Sequence, residues 1–186
     1  MRPTYKMTIA GLPRELTICP LNDNLSIAGF IMFGDTELTT ACAEKLLSMA
    51  PEFDYIFTAE AKGIPLAHEM ARLAGNRRYM LARKKPKLYM TDIVEVDDRS
   101  ITTKGDQKLY LDGAEAALMK GAKILIVDDV ISTGESLKAL EHIVDVVGGI
   151  TVGKMTVLAE GDAAKRDDIT FLEPLPLFTP DGTPIK

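Results

Sequence analysis

The sequence has no tryptophan, two cysteines, two histidines and only 6% aromatic residues. Cys19 and Cys42 form no C-x-x-C pair, and His68 and His142 are the only further soft ligands, so neither a disulfide framework nor a structural zinc site has a basis. No apolar run approaches the length of a membrane-spanning helix. The N-terminal stretch with Arg2 and Lys6 is broken by Gly11, Pro13, Arg14 and Glu15 before a signal-peptide core forms; a cytoplasmic, reduced protein away from membranes is expected. Basic residues are outnumbered 22 to 27, for a net charge of -5, which argues against a surface built to lie on nucleic acid. With no internal repeat and no low-complexity linker, residues 1–186 are expected to form one domain.

What is present alternates. From Asp35, an N-cap residue, Leu38, Ala41, Cys42, Lys45, Leu46 and Met49 recur at helical spacing until Pro51. Tyr55 to Thr58 reads as a strand, Ala59 to Gly63 as a loop, and Pro65 to Leu73 as a helix closed by Gly75. Tyr79 to Ala82 and Lys123 to Val127 are further buried-strand runs, with helices expected over Ala114 to Lys120 and Glu135 to Val147, and a later strand over Thr151 to Leu158. Strands alternating with helices imply a mainly parallel sheet. Residues 84–112 interrupt the rhythm with charged sequence. There Arg99 to Thr103 and Lys108 to Leu111 are expected to pair as a hairpin in a mobile functional loop. Residues 1–34, with short strand-like pieces at Tyr5 to Ala10 and Leu16 to Cys19, are expected to cap the sheet edge, and 173–186 to form a tail.

The segment from Ile124 to Ser136 carries the chemistry. A buried strand ends in Asp128-Asp129, and Val130-Ile131 leads to Ser132-Thr133-Gly134-Glu135-Ser136, which opens a helix. A turn of small hydroxyl and glycine residues at a helix start points several backbone N–H groups at one place, an arrangement suited to phosphate. A plain helix-capping box at Ser132 and Glu135 is the alternative. It does not account for two carboxylates directly upstream, which would repel the anion unless a neutral spacer lies between. A ribose is such a spacer: the aspartates accept from its vicinal hydroxyls and stabilise positive charge on the ring while the cup holds a 5-phosphate.

The run I-L-I-V-D-D-V-I-S-T-G-E-S resembles the phosphoribosyl pyrophosphate (PRPP) signature of type I phosphoribosyltransferases. That resemblance implies a doubly wound α/β fold with a five-stranded, mainly parallel sheet and an N-terminal hood. It also implies magnesium bound with PRPP rather than by protein ligands, and a homodimer whose 84–112 loop reaches the neighbouring site. Glu60-Ala61-Lys62-Gly63 resembles the pyrophosphate loop of purine enzymes, with Lys62 where adenine enzymes usually carry arginine. Arg83-Lys84-x-x-Lys87 resembles the basic opening of their catalytic loop, whose cations would neutralise the leaving group; Asp128, Asp129, Arg83 and Lys84 are the catalytic expectations. A solvated charged face is the plainer reading of this basic cluster.

For the base, Phe30, Val130 and Glu160 are the expected contacts. Xanthine enzymes resemble V-I-E-K at the strand end where this chain has Ala159-Glu160-Gly161-Asp162. Gly161 has no side chain to donate to a 6-oxo group, which leans toward adenine. A 6-oxopurine enzyme and a PRPP-sensing regulator without catalysis are the alternatives, although Pro3, Gly11, Pro13, Pro20 and Gly29 interrupt any DNA-reading helix pair in the cap. His68 and His142 are expected to be structural.

Overall fold

The computed structural model describes residues 3–98 and 107–185. Three strands open the chain: β1 (Thr4–Ile9), β2 (Leu12–Asn22) and β3 (Leu25–Gly29) form an antiparallel sheet in the order β1-β2-β3. Its inward residues Ile9, Leu16, Ile18 and Ala28 join the apolar cluster of the main body. Arg14 ties the hood down, donating to the Asp35 carboxylate at 2.8 and 3.0 Å. The same Asp35 accepts from the Leu38 amide and caps α1 (Thr36–Leu47), as its position before the helical run predicts.

The main sheet contains β4 (Tyr55–Ala59), β5 (Met80–Ala82), β8 (Lys123–Ile131), β9 (Ile150–Glu160) and β10 (Thr170–Leu175), in the order β10-β9-β8-β4-β5. Every neighbouring pair is parallel. Between these strands run α2 (Ile64–Leu73), α3 (Gly113–Met119) and α4 (Glu135–Val147). In β8, Leu125 and Val127 pack with α1 and α2, whereas Ile124 and Ile126 pack with α3 and α4. The period-two alternation therefore feeds two cores, which is why the run is apolar throughout. Helix α4 buries Leu137, Leu140, Ile143 and Val144. At about 1.5–3 kcal/mol for each large apolar side chain, this packing fixes where the helix begins.

The structure corrects three boundaries. Strand β8 continues past Val127 to Ile131, because β9 runs beside it and pairs Asp128 with Thr156 and Val130 with Leu158. The aspartates thus lie within a strand rather than after one. The hairpin of the charged insertion exists, but its first arm is β6 (Val94–Asp98), paired with β7 (Gln107–Leu111). Val96, 5% exposed, faces the α4 side of the core with Leu109, an alternation masked by the acidic residues between. The earlier expectation for Arg99 to Thr103 lies outside the described residues. Finally, the tail is not wholly separate from the sheet: Thr170–Leu175 is its edge strand β10. Beyond it, Phe178 exchanges two backbone hydrogen bonds with Ser26 of the hood, at 2.7 and 2.9 Å. Among the described residues, no helix is long and apolar enough to cross a membrane.

Candidate active site

Strands β4 and β8 are neighbours, but the chain leaves them in opposite directions, β4 toward the β5 edge and β8 toward β9 and β10. Loops that diverge at such a switch point leave a crevice outside the carboxyl strand ends. A cleft of about 220 Å³ occupies this position, lined by Glu60 to Lys62, Lys84, Asp128 to Val130 and Ser136. Two helices start at its rim. Gly63 caps α2 and Gly134 caps α4, both without a side-chain hydrogen bond to the helix end. The uncapped start of α4 suits an anion; at α2 the Ile64 amide already donates to the Ala61 carbonyl at 3.2 Å and Pro65 carries no amide hydrogen.

Gly134 adopts φ 79°, which favours glycine. The cap of α4 falls at Gly134 rather than at Ser132, the residue that the capping-box spacing to Glu135 would use. Burial pushes the Glu160 carboxyl above its ordinary range, with Ser132 and Lys62 opposing. Ser132, Thr133, Glu160 and Gly161 line a second cavity next to the first, closed on its far side by Leu177. The expected 5-phosphate residues, Ser132 to Ser136, are therefore together at one helix start, with Ser136 facing the first cavity and Ser132 and Thr133 the second.

Asp128 and Asp129 stand where β8 meets the pyrophosphate-type loop. Asp129 is 4% exposed, and its amide donates to Asp128 Oδ1 at 2.9 Å. Burial raises the pKa of both carboxyls; the neighbouring Asp129 raises Asp128 further, while Lys62 opposes the rise in each. Two buried carboxylates this close favour holding a proton between them until hydroxyls or a cation arrive. Asp129 Oδ2 lacks a hydrogen-bond partner, as does the buried Thr58 Oγ1. Lys62 Nζ approaches Asp129 Oδ2 only to 3.8 Å. Glycine is required at position 63: a Cβ there would overlap Thr58 Oγ1 and come within 3.0 Å of Asp128 Oδ1.

Glu60, expected among the pyrophosphate contacts, lines the cleft, and its carboxylate accepts from Arg83 Nη1 and the Lys84 amide, each at 3.0 Å. Lys87 Nζ stands 3.8 Å away. These donors outweigh partial burial and hold Glu60 below the usual carboxylate range. The Glu60 carboxylate thus gathers the Arg83 and Lys87 cations beside the cleft. Arg83 also exchanges both backbone hydrogen bonds with Tyr110 at 2.8 Å, so it stands at its own chain's Glu60. Ala61 and Lys62 line the cleft as expected.

Of the expected base contacts, Val130 and Glu160 line the two cavities. Phe30 does not offer a stacking face. It is 3% exposed and packs in the core beneath the hood, because β3 leads its side chain inward. Phe33, three residues further on, is 52% exposed. His68 packs edge-on against Tyr79, consistent with a structural role.

For magnesium, the donor set at the strand end is Asp128 and Asp129, oxygen ligands of the kind Mg²⁺ takes singly or in pairs beside substrate phosphates. Among the described residues no group of three or more His, Cys, Asp or Glu converges. The two aspartates could hold an ion whose remaining ligands come from a substrate's phosphates. Such an ion would supply charge neutralisation at the pyrophosphate.

Sequence reasoning missed Arg166, Asp168 and Leu177, which shape the second cavity or support it. The spacing Arg166-x-Asp168 was the available signal for the first two.

Residues 36–175 match the family model described as phosphoribosyl transferase domain. The chain is 36% identical over 115 residues to a hypoxanthine/guanine phosphoribosyltransferase of Ferroglobus placidus, covering 62% of this chain and 57% of that protein. It is 33% identical over 134 residues to an adenine phosphoribosyltransferase of Petrotoga mobilis, covering 70% and 68%. The chain thus spans less than two thirds of the first of these relatives. The structure of Saccharomyces cerevisiae adenine phosphoribosyltransferase superposes with a TM-score of 0.67 at 20% identity, over 85% of this chain and 92% of that one. A helix start without a side-chain cap at a sheet switch point, a carboxylate pair beside it and a family match across this whole region agree: the chain belongs to the phosphoribosyl transferase domain family.

Proposed function

We propose that this protein transfers the 5-phosphoribosyl group from PRPP to a purine base, forming the nucleoside 5'-monophosphate and releasing pyrophosphate. The observation that carries the reading is the Asp128–Asp129 pair set between the loop of Glu60 to Lys62 and the uncapped start of α4. The helix start at Gly134 takes the 5-phosphate and the loop that ends at Gly63 the pyrophosphate. The carboxylates between them accept from the ribose hydroxyls and stabilise the oxocarbenium-like ring as the bond to pyrophosphate breaks. Lys62, Arg83, Lys84 and Lys87 neutralise the departing group, and the purine nitrogen attacks C1 from the opposite face.

Adenine is the base this wall suits best. Glu160 is an acceptor, and Gly161 offers no side-chain donor to a 6-oxo group. The second reading, a 6-oxopurine, is favoured by relatives that carry the hypoxanthine/guanine name. Incubation with PRPP, magnesium and, separately, adenine, hypoxanthine, guanine and xanthine, with nucleotide and pyrophosphate measured, is expected to give AMP. Product from a 6-oxopurine alone would keep the transfer reaction and replace the base. PRPP binding without product from any base would establish the sensor instead. A homodimer belongs to this reading, and a single species at 20.3 kDa in sedimentation would remove it.

A further inference from the structure

The four cations assigned to the substrate, Lys62, Arg83, Lys84 and Lys87, all lie on β4, β5 or the loops that follow them. The 5-phosphate cup on the other side of the cleft is surrounded by Asp128, Asp129, Glu135 and Glu160, a negative setting for a dianion. One cation lines the cavity there: Arg166, at the end of the 3₁₀ turn Gly161–Lys165. Its position is built. Nε and Nη2 donate to the two oxygens of Asp168 at 2.8 and 2.7 Å, a bidentate fork that fixes the plane of the guanidinium. Asp168 is braced in turn by Lys154 Nζ at 2.7 Å, and the same ammonium reaches Glu141 of α4 at 2.8 Å. The two acids and two bases neutralise one another, so the fork is fixed in place without excess charge.

The third nitrogen is directed at the cup. Nη1 of Arg166 has no hydrogen-bond partner among the described residues, and a Cβ on Gly134 would collide with it. The positive φ of Gly134 and this close approach both demand glycine at the helix cap. The fork to Asp168 orients the guanidinium, and its remaining donor lies against Gly134 at the start of α4.

We propose that Arg166 is a further phosphate-binding residue, donating from Nη1 to the 5-phosphate held by residues 132–136, with Asp168 as its positioning residue. This rests on the PRPP reading of the site. An arginine at this point reads the end of the substrate that does not react, so it contributes binding and orientation of the ribose rather than leaving-group stabilisation.

The test is calorimetric binding of ribose 5-phosphate and, separately, magnesium pyrophosphate to the full chain and to Arg166→Met and Arg166→Lys. A charge-assisted hydrogen bond corresponds to roughly 10- to 100-fold in affinity. Arg166→Met is therefore expected to weaken ribose 5-phosphate by that factor while pyrophosphate stays within about twofold, and Arg166→Lys to recover part of the loss. Equal ribose 5-phosphate binding by the Met variant overturns the proposal, and so does an equal loss for both ligands, which marks a structural role. If the Met variant does not fold, the Lys variant decides: a selective loss for ribose 5-phosphate supports the assignment, and unchanged binding overturns it. Unmodified protein that binds neither ligand overturns the PRPP reading together with this inference, whereas binding that the variants leave unchanged overturns only the inference.

Discussion

On the β4–β5 side of the cleft, positive charge sits on long side chains that already have partners: Arg83 and Lys87 at Glu60, and Lys62 near Asp129. On the β8–β9 side, the anion site is an open helix start capped by a left-handed glycine, with one arginine locked in a fork beside it. The two groups these sites would hold have different fates. Pyrophosphate must bind, gain charge and depart, and exchangeable ion pairs on half-exposed side chains suit that cycle. The 5-phosphate does not react, so fixed donors can hold it, and their binding energy positions C1 against the incoming base. The carboxylate pair lies between the two sites and, in the proposed reaction, takes part in the step itself.

Replacing that pair therefore has the largest expected effect. Asp128→Asn with Asp129→Asn is expected to lower turnover by about 10³-fold or more, with magnesium pyrophosphate still bound. The sign of the stability change distinguishes a functional pair from a structural one. Burial raises both carboxyls above the ordinary aspartate range. The folded protein thus binds more protons than the unfolded chain as pH rises from about 4, and stability falls through that window. The doubly substituted protein does not titrate there, so its Tm should exceed that of the unmodified protein by a margin that grows from pH 5 to pH 8. Near-normal turnover would break the comparison at its centre.

A smaller change sharpens the exchangeable side. If Glu60 competes with pyrophosphate for Arg83 and Lys87, Glu60→Gln should tighten magnesium pyrophosphate by about 3- to 10-fold, on the order of one ion pair. It should leave ribose 5-phosphate unchanged and slow turnover through product release. Weaker pyrophosphate binding would show that Glu60 chiefly positions the cations. Titration calorimetry and a pyrophosphate-inhibition series read the two cases apart.

How much of this was legible in the sequence depends on whether the signal was local. Helix α4 begins and ends where Glu135 and Val147 predict, because its start chemistry and apolar spacing lie in one stretch. The cup and the aspartates were legible for the same reason. The extension of β8 through Ile131 was not, because it depends on β9 supplying backbone partners from twenty-odd residues away. The role of Glu60 was hidden likewise: its partners stand 23 and 24 positions on. Phe30 was ambiguous, since an aromatic residue at a strand end can face a ligand or a core, and only the packing of the hood decides. Arg166 acquires its meaning solely from Gly134 across the cavity.

The smallest expected effect tests whether the fixed side is fixed by its charge network. Lys154 joins Glu141 on α4 to Asp168 beyond the 3₁₀ turn, and its side chain is only 16% exposed. Asp168 is 44% exposed, so solvent screens the pair, and Lys154→Met should cost about 1 kcal/mol, or about 2–4 °C in Tm for a chain of this length. The Arg166 fork and then Lys154 hold Asp168 below the ordinary aspartate range. Its contribution is therefore complete above the unfolded pKa and is lost as pH falls below it. The Tm difference between the unmodified protein and Lys154→Met should accordingly narrow as pH drops from 7 to 3. Because the fork from Arg166 to Asp168 survives this substitution, ribose 5-phosphate affinity should change by less than about threefold. A larger loss would mean that Lys154, rather than the fork itself, sets the plane of the guanidinium, and the anchored side would then be as adjustable as the side it faces.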